Sequence, residues 1–153
     1  MTSLSDLVSE SPCVCLHIRR AGRVITQLYD SRLRRSGIRI TQYSLLRYID
    51  LAGGSTIGEL GEALCLEQST VTRNVRVLSE GGYVRLDPAS GDKRRKILSL
   101  TKSGRAKLDE ATVLWREAQN DIRRELGEDG IEDLMSALKR AAGFKGERSD
   151  RHE

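Results

Sequence analysis

The chain has 153 residues, 31% of them charged and only 4% aromatic, with a formal charge of +4. That length allows one compact domain with a core and excludes two ordinary ones. The charge is unevenly spread. Residues 1–105 hold 17 Lys and Arg against 10 Asp and Glu, a net of +7, while residues 106–153 hold 9 against 12, a net of −3. A basic front and an acidic back suit a protein that lays one face on a polyanion. Three cysteines, an odd number, make no disulfide framework and point to the reducing cytoplasm. Residues 1–10 carry Asp6 and Glu10 and no basic residue, which predicts no signal peptide. No uncharged run reaches half of the roughly 20 apolar residues a membrane span requires, so no membrane partner is expected.

In chain order, Ser11-Pro12 reads as a helix start, with Ser11 as N-cap and Pro12 in the first helical position. The helix runs to about Arg35 and stops at Gly37. Val14, Ile18, Ala21, Ile25 and Leu28 recur in steps of four and three, a seam for another helix, while the other faces carry Arg19, Arg20, Arg23, Arg32, Arg34 and Arg35. Some 25 helical residues exceed what a small core requires and imply use outside the domain. Thr41 caps a second helix with Tyr43, Leu45, Leu46 and Ile49, ended by Gly53-Gly54. Thr56-Ile57-Gly58-Glu59 has capping-box spacing and opens a short helix with Ile57, Leu60 and Leu64 inward. A break near Cys65 leads to a fourth helix, about 68–79, with Val71, Val75 and Leu78 on one face and Gly81-Gly82 at its end. Tyr83–Asp87 and Ile97–Leu100 read as strands around a turn at Pro88–Asp92. The last segments are a long helix capped by Thr101, carrying Ala111, Trp115, Ala118, Ile122 and Leu126, and a final helix after Gly130. The tail, 145–153, reads as disordered.

A short helix, a tight break, a second helix and a basic hairpin form, in that order, a winged helix-turn-helix. With Val71, Val75 and Leu78 inward, Ser69, Thr72, Arg73 and Arg76 face outward, with Thr70 beside them. Hydroxyls and guanidinium forks are the groups that read base edges and phosphates. Lys93, Arg94, Arg95 and Lys96 give the hairpin four consecutive cations, suited to backbone contact or to a narrow minor groove. Each element alone is equally compatible with a solvated charge run; the conjunction is not.

These residues resemble the MarR-type transcriptional regulators. The likeness lies in Ile57-Gly58-Glu59-Leu60, in Ser69-Thr70-Val71-Thr72-Arg73, and in Leu78 to Gly82-Tyr83-Val84. It continues in Asp92-Lys93-Arg94, in Leu100-Thr101 and in Gly104. The stretch 41–104 is specific, and a looser likeness covers about 14–140. The resemblance implies a homodimer whose interface is built from the first and the last two helices, each subunit presenting one motif to a near-palindromic operator. It also implies that Asp92 pairs with Arg94 to shape the wing and that Arg94 meets the minor groove. The chain departs from the family pattern at Leu86, where an arginine is usual and Arg85 sits one residue early. Gly61 replaces the usual alanine, a change expected to loosen the first short helix.

Cys13 and Cys15 fall at the start of the first long helix, where free N–H groups and the helix dipole stabilise a thiolate. Three readings are open: small apolar residues packed at the dimer interface, a redox sensor, or metal ligation by Cys13, Cys15 and His17. The last is disfavoured because 13 and 17 share a helix face while 15 turns away. Some members of the resembling family sense hydroperoxides through a cysteine near this position, assisted by tyrosines. This chain matches them in Cys15 and Tyr29 and departs from them at Arg19 and Ile40, where those members have two further tyrosines. Cys65 reads as core. Trp115, Tyr43 and Tyr48 read as core or interface, with the lining of an effector pocket as the alternative.

Two histidines, His17 and His152, supply no Ser–His–Asp or Cys–His logic, and Gly53-Gly54 cradles no phosphate, so the chain reads as no enzyme and no cofactor is expected. The alternative is a winged protein-interaction module without specific DNA binding. The resulting reading is a mainly α protein with a small β-hairpin wing. Its regions are 1–40 and 101–144 for helical dimerisation and 41–100 for the winged helix-turn-helix. Its function is that of a cytoplasmic homodimeric repressor that binds double-stranded DNA and is released by a small-molecule or oxidant effector.

Overall fold

A computed structural model describes residues 3–89 and 92–143, with the side chains of Asp92, Lys93 and Arg94 outside the description. The expected tail, 145–153, also lies outside the described residues. The elements are α1 (Leu4–Ser9), α2 (Val14–Leu33), a 3-10 turn (Arg34–Ser36), α3 (Ile40–Ala52), α4 (Ile57–Leu64) and α5 (Gln68–Glu80), then β1 (Val84–Ala89), β2 (Asp92–Leu100) and α6 (Lys102–Ala142). The chain divides into two compact units, Met1–Arg116 and Glu117–Glu153. Among the described residues no helix is long and apolar enough to cross a membrane.

The helix starts differ from expectation in instructive ways. Residues Leu4–Ser9 form a separate helix, capped by Ser3 and Asp6, each side chain accepting the other's backbone N–H. The next helix begins at Val14 with Cys13 as N-cap, not at Pro12. Ser11 still helps, since its hydroxyl accepts the Cys13 N–H at 3.3 Å, and its carbonyl is taken by His17 Nε2 at 2.7 Å. Helix α3 starts at Ile40 rather than after a Thr41 cap. Gln42 Oε1 accepts the Arg39 N–H at 3.0 Å, and Asp30 Oδ1, from α2, accepts the Ile40 N–H at 2.8 Å. A cap supplied from another helix satisfies an orphan donor as well as a local one.

One core serves the first unit. Leu33 of α2, Leu45, Leu46 and Ile49 of α3, Leu60 of α4, Val71, Val75 and Leu78 of α5, Leu98 of β2 and Leu108 of α6 are all buried in it. Tyr43 belongs to the same core and stacks on half-buried Trp115 with ring centres 5.8 Å apart. Tyr48, expected on an apolar face, is exposed. Gly61 is buried, and a Cβ there would stand 3.1 Å from the Leu66 carbonyl oxygen. In the second unit the helix breaks at Gly127 (φ 70°, ψ 168°), three residues before the expected Gly130. That backbone conformation is open essentially to glycine alone.

Among the described glycines the closest approach lies where α6 begins. Thr101 donates its N–H to the Tyr83 carbonyl at 3.0 Å and its hydroxyl to the Gly82 carbonyl at 2.6 Å, and it accepts the Gly104 N–H at 3.0 Å. A Cβ on Gly104 would lie 1.9 Å from the Tyr83 oxygen. Gly104→Ala is therefore expected to destabilise the protein by about 1–3 kcal/mol or more through overpacking. Gly130→Ala, where the nearest neighbour would be 3.5 Å away, should instead be neutral or stabilising by up to about 1 kcal/mol. Denaturant midpoints of the two variants against wild type measure the contrast.

Candidate nucleic-acid interface

The site is built on the capping box of α4. Thr56 Oγ1 accepts the Glu59 N–H at 3.2 Å, and Glu59 Oε2 accepts the Thr56 N–H at 2.7 Å. Those bonds, then the nearby Arg95 charge, hold the Glu59 carboxyl below the usual carboxylate value. Helix α4 ends at Cys65, which adopts the left-handed conformation (φ 51°, ψ 40°). The Leu66 N–H then closes on the Gly61 carbonyl at 2.9 Å. Cys65, expected in the core, is exposed. A residue in the left-handed position after a helix leaves the packed face of that helix, and burial propensity cannot overrule this geometry.

Helix α5 presents two faces. Val71, Val75 and Leu78 are at most 3% exposed and fasten it to the core. Ser69, Thr72, Arg73 and Arg76 are exposed, and Thr70 is half-buried beside them. Their states differ. The Thr72 hydroxyl donates to the Gln68 carbonyl at 2.8 Å, leaving its oxygen free to accept. Arg76 Nε pairs with Glu80 at 2.8 Å, a contact that raises the pKa of the guanidinium. Among the described residues Arg73 makes no ion pair. Asn74 Nδ2 donates to the Thr70 carbonyl at 2.9 Å, and exposed Gln68 opens the helix. Both polar residues were passed over in the sequence, although Gln68 sits where helices of this kind meet base edges.

The wing is a two-stranded antiparallel ribbon, paired from Val84↔Leu100 to Pro88↔Lys96 and then, across an irregularity, at Ala89↔Asp92. It is longer than its two predicted strands. Its base is held by Ser55, between α3 and α4: the Ser55 N–H donates to the Leu98 carbonyl at 3.1 Å and the Leu98 N–H to the Ser55 carbonyl at 2.7 Å. No strand signal marks a single residue, so this bridge was not legible. Arg85, one residue ahead of the family's position, donates to Ser99 Oγ at 3.2 Å and pairs with Asp87 at 2.7 Å. Arg95 Nη2 stands 2.5 Å from Glu59 Oε1. The side chains of Asp92, Lys93 and Arg94 lie outside the described residues. The structure thus brings Ser69, Thr70, Thr72, Arg73 and Arg76 onto one helix beside the wing.

Cys13 and Cys15 lie apart from this face, at the start of α2, and both are exposed. Tyr29 is half-buried on the same helix, and burial raises its hydroxyl pKa, with a smaller contribution from Tyr43. Fourteen residues of helix separate Tyr29 from Cys15 by about 21 Å, so the two cannot meet within one chain. A cavity of about 260 Å³ opens between α3 and α6, lined by Tyr43, Arg47, Tyr48, Leu51, Thr112 and Trp115 among others.

Residues 36–95 match the profile of the MarR family. The chain is 30% identical over 105 residues to the HTH-type transcriptional regulator YwoH of Bacillus subtilis, spanning 69% of this chain and 76% of that protein. Among solved structures it is similar to the Mycobacterium tuberculosis regulator MosR in complex with DNA. Identity there is 38% and TM-score 0.72, covering 85% of this chain and 96% of MosR. It is also similar to a variant of Escherichia coli MarR solved with operator DNA, at 25% identity and TM-score 0.75, covering 81% and 89%. A winged helix-turn-helix with this match over its length carries no enzyme chemistry: the chain belongs to the MarR family of winged-helix transcriptional regulators.

Proposed function

We propose that the protein is a sequence-specific duplex DNA-binding regulator that acts in the cytoplasm as a homodimeric repressor and is released by a small molecule or an oxidant. The observation that carries this reading is the outer face of α5, where exposed Ser69, Thr72, Arg73 and Arg76 stand opposite a fully buried apolar face. A helix so fastened presents its polar side chains to a groove at fixed spacing. Arg73, with no ion-pair partner among the described residues, is the group assigned to a base edge, where a guanidinium fork reads guanine. Ser69, Thr70 and Thr72 supply hydroxyls to phosphates or bases, and Arg76 a charge near the backbone. Lys93 and Arg94 carry the wing's charge to the minor groove, with Asp92 shaping its tip. That MosR and a MarR variant were solved with DNA supports the DNA-binding reading.

The first long helix supports the homodimer. In the single chain Val14 is 71% exposed and Ile18 44%, Ala21 is exposed, and Ile25 and Leu28 are half-buried, the apolar seam of a helix whose C-terminal end reaches the core. Covering such a row against a second copy is worth roughly 25 cal/mol per Å² buried. Release then acts on the helices that carry both motifs. An oxidant would act at Cys15, in the first turn of α2, where a polar oxygen or a bridge to Cys13 would disturb a packed seam. A small molecule would act through the cavity beneath Tyr43 and Trp115.

Binding to duplex DNA should lose orders of magnitude in affinity between about 50 and 200 mM salt. Arg73→Ala should cost about 1–3 kcal/mol and relax discrimination at particular base pairs. Titrations across a set of single-base operator variants read both effects, and salt-independent binding would overturn the proposal. The interface assignment predicts that Ile18→Glu shifts the protein from dimer to monomer in sedimentation, with its helical content retained; an unchanged dimer places the interface elsewhere. For the oxidant route, peroxide should release wild type from DNA and leave Cys15→Ser bound. Identical responses of the two proteins reduce the cysteines to packing residues and leave the small-molecule route.

A further inference from the structure

The wing cation Arg95 invites a different role from its neighbours, one that rests on the DNA-binding reading above. The ladder between β1 and β2 is regular from Val84↔Leu100 to Pro88↔Lys96 and then jumps to Ala89↔Asp92. Among the described residues, Lys93, Arg94 and Arg95 consequently have no cross-strand partner in the register. Pro88 stands at the jump, and proline has no N–H to offer a ladder. A strand bends and twists where pairing is interrupted, so this outer part of the hairpin takes its direction from something other than β1.

Glu59 supplies the hold. Its Oε1 receives Arg95 Nη2 at 2.5 Å across 36 residues of sequence. Its Oε2 is already committed to the Thr56 N–H, and its own N–H to Thr56 Oγ1. One carboxylate therefore joins the wing to the first turn of α4, the helix that braces α5. The carboxylate cannot follow Arg95 away without giving up the cap. Were Arg95 to leave for a phosphate, Glu59 would remain as a bare negative charge beside a polyanion. Both side chains are about half exposed, at 53% and 52%, and a pair so exposed adds little to global stability. Its leverage is angular, because it grips the ribbon beyond the Ser55–Leu98 bridge, on the side of the tip.

We propose that Arg95 is a positioning residue: with Glu59 it sets the angle of the wing relative to the recognition helix α5 and makes no contact with DNA. The strand backbone beside Arg95 is then held by a bond to a carboxylate 36 residues away.

The test turns on a sign. Glu59→Gln removes a negative charge from beside DNA, so electrostatics alone predicts tighter binding. Glutamine still serves a capping box, so α4 keeps its start, and an unchanged melting profile verifies this. The probe is a duplex selected from a random library by the wild-type protein. We expect Glu59→Gln to bind it about two- to tenfold more weakly, the scale of one exposed ion pair carried by two subunits. The slope of log affinity against log salt should not change. Arg95→Gln should weaken binding to the same extent at the same slope, and the double variant should be no weaker than either single one. Glu62→Gln, an exposed carboxylate on the same helix, should bind as wild type or slightly tighter. Hydroxyl-radical footprints of Glu59→Gln should lose protection under the wing and keep it under α5. The proposal is overturned if Glu59→Gln binds as tightly as wild type or tighter. It is equally overturned if Arg95→Gln lowers the salt slope by about one per subunit, the mark of a direct phosphate contact. Failure of the wild type to bind any duplex at low salt would instead overturn the DNA-binding reading itself, and this proposal with it.

Discussion

The backbone at Tyr83 is the point through which the winged helix-turn-helix is assembled. Helix α5 closes there, because the Tyr83 N–H satisfies the Leu78 carbonyl at 2.9 Å. The first wing strand leaves at Val84, and the second returns at Leu100 opposite it. Helix α6 starts immediately after, with Thr101 bonded to both Gly82 and Tyr83. Lys107 then reaches the Ser36 carbonyl at 2.9 Å and lies 5.6 Å from the Tyr83 ring centre. Four elements converge on one backbone segment, and this is possible only because residue 104 has no side chain. A recognition helix and a wing joined so closely keep a fixed relation to the start of α6.

Arg73, Arg76 and Arg95 are not equivalent, although all three are exposed. Arg76 is shared with Glu80 and Arg95 with Glu59, while Arg73 has no such partner among the described residues. A guanidinium bound to a carboxylate must break or share that bond before it serves a phosphate, and exposed pairs of this kind exchange at small cost. Arg76 can do so, because both it and Glu80 are well exposed. Arg95 can do so only by leaving behind the Glu59 carboxylate, which its bond to the Thr56 N–H holds in place. Three exposed arginines thus sit in three settings, one without a carboxylate partner among the described residues, one with a partner on its own helix and one with a partner across the fold.

Helix α2 serves different ends along its length. Its C-terminal end reaches the core through Leu33, and Asp30 caps α3. Its N-terminal end carries exposed apolar side chains between arginines. Long arginine stems cover apolar surface while keeping their charge in water, which lets the single chain tolerate a face that a partner helix is proposed to cover. Cys13 and Cys15 lie at the margin of that face, so chemistry at the thiols and packing of the helix are coupled in the proposed switch.

Local rules determined much of this protein from sequence alone. The apolar steps of Val71, Val75 and Leu78, the Thr56–Glu59 capping box and the Gly82 stop depend on residues within one or two turns of each other. Each was legible for that reason, and with them the winged helix-turn-helix order and the outward set from Ser69 to Arg76. The tertiary structure decided what depends on distant partners. Asp30 starts α3, Ser55 holds the wing, and Glu59 claims Arg95, each through a bond to a residue ten or more positions away. Cys65 left the core because a left-handed turn outweighed the burial preference of a thiol. The helix break fell at Gly127 rather than Gly130, since two glycines three residues apart carry the same local signal. A sequence pattern records which side chain faces inward; which oxygen meets which nitrogen across the fold is settled only when the core has brought them together.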